Sequence, residues 1–174
     1  MPFPCTAFMN LPALLDRISY RYPSRLIDVV DEHEVGSGLH ARLVREGNGS
    51  VCILAVGKML AAAEAAAEAL AADGIEATVW DVRVVPLDPE MLDDAAEHPV
   101  VLTAEDGVRE GGVGSMIADA ISQRTTGTTP RVRVLGTPME FLQHGKPDQI
   151  LADLGLDAAG LEAEARALVA ALRT

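Results

Sequence analysis

Acidic and glycine residues crowd one short stretch, Glu105-Asp106-Gly107-Val108-Arg109-Glu110-Gly111-Gly112-Val113-Gly114-Ser115. An apolar run, Val100-Val101-Leu102, precedes it, and a helix-like pattern of Met116, Ile117, Ala120 and Ile121 follows. Adjacent carboxylates at a strand end can work as an acid–base pair. The competing role is structural, with Asp106 bonding the amides of its own turn and Glu105 meeting solvent or an arginine across an interface. Acid, glycines and then a small hydroxyl residue at a helix mouth describe a tight strand-to-helix crossing, which favours the structural role. Such a crossing sits at the carboxyl end of a strand, where open α/β sheets place ligands or partner surfaces. Glu105, Asp106, Gly107, Gly111, Gly112, Gly114 and Ser115 are therefore expected as loop or interface residues, with Arg109 and Glu110 as loop-surface charges. No residue is assigned a catalytic role.

Other chemistries fail on spacing. Gly112-Val113-Gly114 begins a dinucleotide fingerprint, but its third small position falls on Ile117. Gly57-Lys58 mimics the end of a phosphate loop, yet Cys52 stands where the loop's first glycine belongs and Met59 follows the lysine. Gly114-Ser115-Met116 lacks the downstream glycine of a nucleophile elbow. His33, His40, His98 and His144 show no metal-ligand spacing with one another or with Cys5 and Cys52, so no metal ligand is assigned. His98, just before Pro99, is expected as a solvated turn residue. His144, beside Gly145, is expected to open a helix with its ring on a neighbouring backbone group. Arg21 and Arg25 are candidate contacts for an anionic group.

Composition narrows the function classes. The chain has 174 residues, a size for one domain with some extra chain. A formal charge of −12 repels phosphate backbones and anionic lipid, and 3% aromatic content gives little to stack bases on. Nucleic-acid and membrane partners are therefore not expected. With two cysteines no disulfide scaffold is expected, and Cys52 is expected in the core. The absence of a basic-then-apolar start or a long apolar run points to a cytoplasmic protein.

The elements that must position the loop follow from periodicity. Val51–Val56 is a continuous apolar run, the mark of a buried parallel strand. An alanine-rich helix over Lys58–Ala72 closes at Asp73-Gly74. Ala77–Val82 is a second strand, Glu90–Glu97 a brief helix, Val100–Thr103 a third strand, and Ser115–Arg124 a helix. A strand at Val132–Leu135 follows. Pro147 suits the first turn of a helix that stops at Gly155, and Asp157 caps a final helix with Leu161, Ala165, Leu168, Val169 and Leu172 on one face. Alternating strands and helices predict an α/β fold, a three-layer α/β/α sandwich with a mostly parallel sheet. That domain is expected over residues 50–174. Residues 1–49 read as a remnant of a preceding domain and linker, with a possible edge strand at Leu39–Val44.

The pattern Ala104-Glu105-Asp106-Gly107-x-x-x-Gly111-Gly112-x-Gly114-Ser115 resembles the C-terminal domain of transketolase-type enzymes, and within them the 1-deoxy-D-xylulose-5-phosphate synthases. Val51–Met59, Trp80–Leu87, Leu135–Pro138, Phe141, His144-Gly145 and Ile150–Leu156 match further blocks of that domain in order, over roughly residues 20–174. The resemblance implies a transferase family that joins pyruvate to glyceraldehyde 3-phosphate on thiamine diphosphate and magnesium in isoprenoid precursor synthesis. It also implies that the cofactor is held by two other domains, so that none is bound by this chain alone. Arg21-Tyr22-Pro23 matches the start of an Arg-Tyr-Pro-Arg-Gly segment near the family's substrate phosphate, although Ser24-Arg25 departs from it. Arg21 is thus a substrate-contact candidate, and His144 joins the loop and interface set. The expectation is a truncated or split synthase domain, inactive alone, that dimerises or joins a companion chain carrying the cofactor domains. The alternative is a stand-alone, non-catalytic interaction or regulatory module.

Overall fold

The computed structural model describes residues 40–124 and 128–172. Five strands form one sheet: β1 (Arg42–Arg45), β2 (Val51–Val56), β3 (Ala77–Val82), β4 (Val100–Val108) and β5 (Arg131–Thr137). Their order is β1-β3-β2-β4-β5, with β1 antiparallel to β3 and the other pairs parallel. Among the described residues, five helices accompany them: α1 (Leu60–Ala71), α2 (Pro89–Glu97), α3 (Val113–Ser122), α4 (Pro147–Asp153) and α5 (Ala158–Ala170). A 3-10 turn, Gly57–Met59, leads into α1.

The central strands are apolar on both faces because helices cover both. Val51, Ile53 and Ala55 of β2 point to a core shared with Ala63, Ala66, Ala67 and Leu70 of α1 and Leu161, Ala165, Leu168 and Val169 of α5. Cys52 and Leu54 point the other way, into a core with Met91, Leu92 and Ala95 of α2 and Ile117 and Ile121 of α3. The result is the three-layer sandwich with a mostly parallel sheet. The buried alanines of α1 recur at helical spacing, and their small side chains let the helix lie close against the sheet.

Caps fix the helix ends. Asp88 accepts the Glu90 amide at 2.9 Å and Pro89 holds the first turn of α2. Asp157 accepts the Gly160 amide at 2.8 Å to start α5. Gly74 (φ 75°) closes α1, and the Ile75 amide reaches back to the Leu70 carbonyl.

Several boundaries differ from the sequence reading. The edge strand foreseen within Leu39–Val44 is β1, and it belongs to this sheet. Leu39–Thr174 forms a compact unit that includes β1. β4 runs past Thr103 to Val108, so Glu105 and Asp106 lie in a strand end that loses regular register against β5 after Ala104. α3 starts at Val113 rather than Ser115. Leu172 lies beyond the end of α5 and is exposed, unlike the other residues of its stripe. Cys5, Arg21, Arg25 and His33 lie outside the described residues.

Candidate functional site

Alternation along β4 decides where its acids point. Val101 belongs to the core under α2 and α3, and Thr103 and Glu105 share its parity. Glu105 therefore turns toward the mouth of α3 and is 4% exposed. Its carboxylate accepts the Val113 amide at 3.0 Å and the Gly114 amide at 2.9 Å. These are orphan donors of the first helical turn, and a carboxylate at the positive end of the helix is favoured twice over. Asp106 points out and pairs with Lys58 Nζ at 3.1 Å, both side chains about half exposed.

This reverses the expected roles. Glu105, not Asp106, bonds the backbone amides, and Asp106 is the solvated partner of a lysine. The two carboxylates face opposite ways, so they form no acid–base pair. Had the strand been carried two residues further in the sequence, its alternation would have shown this.

The glycines make the approach possible. A Cβ on Gly112 would collide with Glu105 and with the Val108 carbonyl, and one on Gly114 would collide with Thr103 Oγ1 and come within 2.7 Å of Val134 Cγ1. Gly111 takes a left-handed φ of 81° to turn the chain into the helix. Ser115 clasps the loop: its hydroxyl donates to the Arg109 carbonyl at 2.7 Å and accepts the Gly111 amide at 3.2 Å. Thr137 Oγ1 donates to the Gly107 carbonyl at 2.8 Å, and the Arg109 amide donates to the Thr137 carbonyl at 2.8 Å, tying the loop to the end of β5. Arg109 Nε bonds Glu110 at 2.9 Å on the exposed rim and holds that carboxyl below its usual range.

The loop residues expected together, Glu105 through Ser115, are thus brought together. His144 stands apart and exposed, ahead of a helix that opens at Pro147 with Lys146 as its cap residue. His98 is the clearest correction. It is 6% exposed, because its ring folds beneath the last turn of α2, where Nδ1 meets the Asp94 carbonyl at 2.9 Å and Nε2 meets Thr78 Oγ1 at 3.0 Å. The Asp94 carbonyl can only accept, so a ring proton sits on Nδ1, while Thr78 Oγ1 also accepts the Gly47 amide at 3.1 Å. Cys52 lies in the core as expected. It also lies close to His98 and Asp94, a proximity that no local spacing announces.

The family described as "Transketolase, C-terminal domain" matches residues 39–161, from the start of the sheet into α5.

The chain belongs to the transketolase C-terminal domain family.

Among curated relatives, the 1-deoxy-D-xylulose-5-phosphate synthase of Anaeromyxobacter sp. (strain Fw109-5) is 43% identical over 138 residues, covering 78% of this chain and 22% of that protein. The 1-deoxy-D-xylulose-5-phosphate synthase 1 of Geobacter sulfurreducens is 38% identical over 162 residues, covering 88% of this chain and 25% of that protein. The chain thus spans between a fifth and a quarter of the length of these relatives. A split-gene transketolase solved as an inactive β4 tetramer has a TM-score of 0.67 and 32% identity, covering 75% of this chain and 42% of that one. A transketolase of Pichia stipitis shares the fold at a TM-score of 0.56 and 17% identity, over 76% of this chain and 18% of that one. Among the described residues, no helix is long and apolar enough to cross a membrane.

Proposed function

We propose that this chain supplies the C-terminal layer of a 1-deoxy-D-xylulose-5-phosphate synthase-like transferase and carries none of its bond-making groups. The observation behind this reading is Glu105. In an open α/β sheet, the helix mouth at a strand's carboxyl end is where an anionic ligand sits. Here the chain's own carboxylate fills that position, and the glycines that would admit a phosphate admit Glu105 instead. The diphosphate of thiamine diphosphate does not fit this loop. Its binding belongs to other domains of the transferase, on the same polypeptide or on a companion chain.

The loop is then a rigid, internally bonded surface for assembly. Phe141 is 97% exposed and Met139 76% exposed just after β5, and Val108 is exposed at the end of β4. Apolar side chains grouped on one edge mark a contact surface. The occupant proposed is the cofactor-bearing part of the transferase. The split-gene transketolase supports this arrangement, since that 32% identical protein is described as an inactive β4 tetramer. Joining pyruvate to glyceraldehyde 3-phosphate requires a carbanion stabilised on the cofactor and shielded from water. This chain's part is to hold that pocket's walls in place from outside.

Titration calorimetry with thiamine diphosphate and magnesium tests the reading. The isolated chain is expected to give no binding heat. Saturable binding of the cofactor by the isolated chain would place a cofactor site on it and refute the proposal.

A further inference from the structure

At the opposite end of the sheet, Cys52 near the start of β2, Asp94 on α2 and His98 just before β4 each offer one ligand atom, and these atoms lie within 4.8 Å of one another. Two of the three residues are buried. A cavity of about 320 Å³ adjoins them, lined by Ala41, Leu43, Glu46, Thr78, Trp80, Glu90 and Asp94. Among the described residues, three carboxylates and no lysine or arginine line it. We infer that Cys52, Asp94 and His98 form a binding site for a thiophilic divalent cation of the zinc type, its fourth position facing this acidic cavity.

The chemistry fits at each ligand. Thiolate, imidazole and carboxylate together are a donor set for zinc, and three protein ligands plus an open position make a known coordination class. The ring of His98 is already set for the task. Its Nδ1 proton is held by the Asp94 carbonyl, which leaves the Nε2 lone pair to ligate once the ion displaces the Thr78 hydroxyl. A backbone carbonyl on the far nitrogen is the usual outer support of a ligating histidine. Asp94 is supported in the same way, because the Trp80 indole N–H donates to its Oδ2 at 2.7 Å and leaves the other oxygen available. Bonds of ~2.0–2.3 Å place tetrahedral ligands roughly 3.5 Å apart, so the side chains close in by about 1 Å around the ion.

One group must change its protonation state. Burial first, and the Asp94 carboxylate second, push the Cys52 thiol well above its usual range, so the ion must displace a proton from the sulfur it binds. Binding forms the sulfur–metal bond and releases that one proton to solvent. The acidic cavity concentrates cations at its mouth, and Asp94, which lines both cavity and cluster, is the natural first contact.

The test uses the full chain, stripped of metal and titrated with cobalt(II) as a spectroscopic probe and then zinc. The expected result is one equivalent of cobalt with a thiolate-to-cobalt charge-transfer band, lost when zinc displaces it, and one proton released per ion. The band should persist in Cys5→Ser and vanish in Cys52→Ala. Asp94→Asn, which keeps the side-chain size and the Trp80 bond, should weaken binding at least about tenfold. Far-ultraviolet circular dichroism of each variant separates loss of the site from loss of the fold. No charge-transfer band in the wild-type chain would overturn the inference, as would a band that survives Cys52→Ala or a band that depends on Cys5.

Discussion

Replacing Glu105 should destabilise the domain far more than replacing its neighbour Asp106. Glu105 makes two charge-assisted hydrogen bonds, to the Val113 and Gly114 amides. Hydrogen bonds to charged groups contribute ~1.5–3 kcal/mol each, so the pair amounts to roughly 3–6 kcal/mol before relaxation. In Glu105→Ala, water reaching the emptied space at the loop recovers part of this, leaving a loss of about 3 kcal/mol. Glu105→Gln keeps one acceptor oxygen but turns an NH2 group toward the other amide, for a loss of about 2 kcal/mol. Asp106→Asn breaks only a half-exposed ion pair with Lys58 and should cost under ~0.5 kcal/mol. Urea unfolding, followed by circular dichroism, measures all three. A loss of 3 kcal/mol lowers the midpoint by about 1.5 M at an m-value near 2 kcal/mol/M, with the slope unchanged. A Glu105→Ala variant within 1 kcal/mol of the parent would refute the cap. So would an Asp106→Asn variant more damaged than Glu105→Gln.

Three further outcomes follow from the same packing. Gly114→Ala puts a methyl group against Thr103 Oγ1 and Val134, and overpacking of this kind should cost ~1–3 kcal/mol by thermal or urea unfolding. For Asp88, burial works to raise the carboxyl, but hydrogen bonds from His40 and from the amides of Ala41, Glu90 and Met91 outweigh it and hold the group below its usual range. A lowered folded value means the stabilisation is present above the unfolded value near ~3.9 and is lost as pH falls through the folded one. Asp88→Asn should therefore flatten the acid limb of the stability profile, and an unchanged limb would contradict the assignment. Finally, a fragment of residues 39–174 should be more stable than one of residues 50–174. The shorter piece exposes the edge of β3 and loses the Arg42–Asp81 and Arg45–Glu76 pairs, and equal urea midpoints would show that β1 adds nothing.

Much of this architecture is legible along the chain, for physical reasons. Buried parallel strands must be apolar on both faces, so β2 stands out as a continuous run, and both β2 and β3 are found at the residues expected. Asp157 and Pro147 announce their helices because a cap side chain and a fixed φ act locally. The acidic and glycine stretch is legible as a crossing, since a carboxylate at a helix mouth needs glycine on the facing turn.

What fails is whatever depends on distance. Apolar character along β4 stops at Thr103, but its backbone pairing carries on to Val108, and that difference exchanges the roles of Glu105 and Asp106. His98 looked like a turn residue because Pro99 follows it. Its actual setting is made by Thr78, twenty positions away, and by the underside of α2. Nothing in the local sequence links Cys52 to Asp94. β1 was visible as an edge strand, but its partner, β3, is known only once the sheet is assembled.

On the proposed function, the chemistry of the transferase resides outside this chain. Formation of 1-deoxy-D-xylulose 5-phosphate from pyruvate and glyceraldehyde 3-phosphate, with thiamine diphosphate and magnesium supplied, measures it most directly. The chain alone should give no product, and adding the missing cofactor-bearing domains of a synthase should give turnover that depends on this chain. Product from the chain by itself would contradict the account.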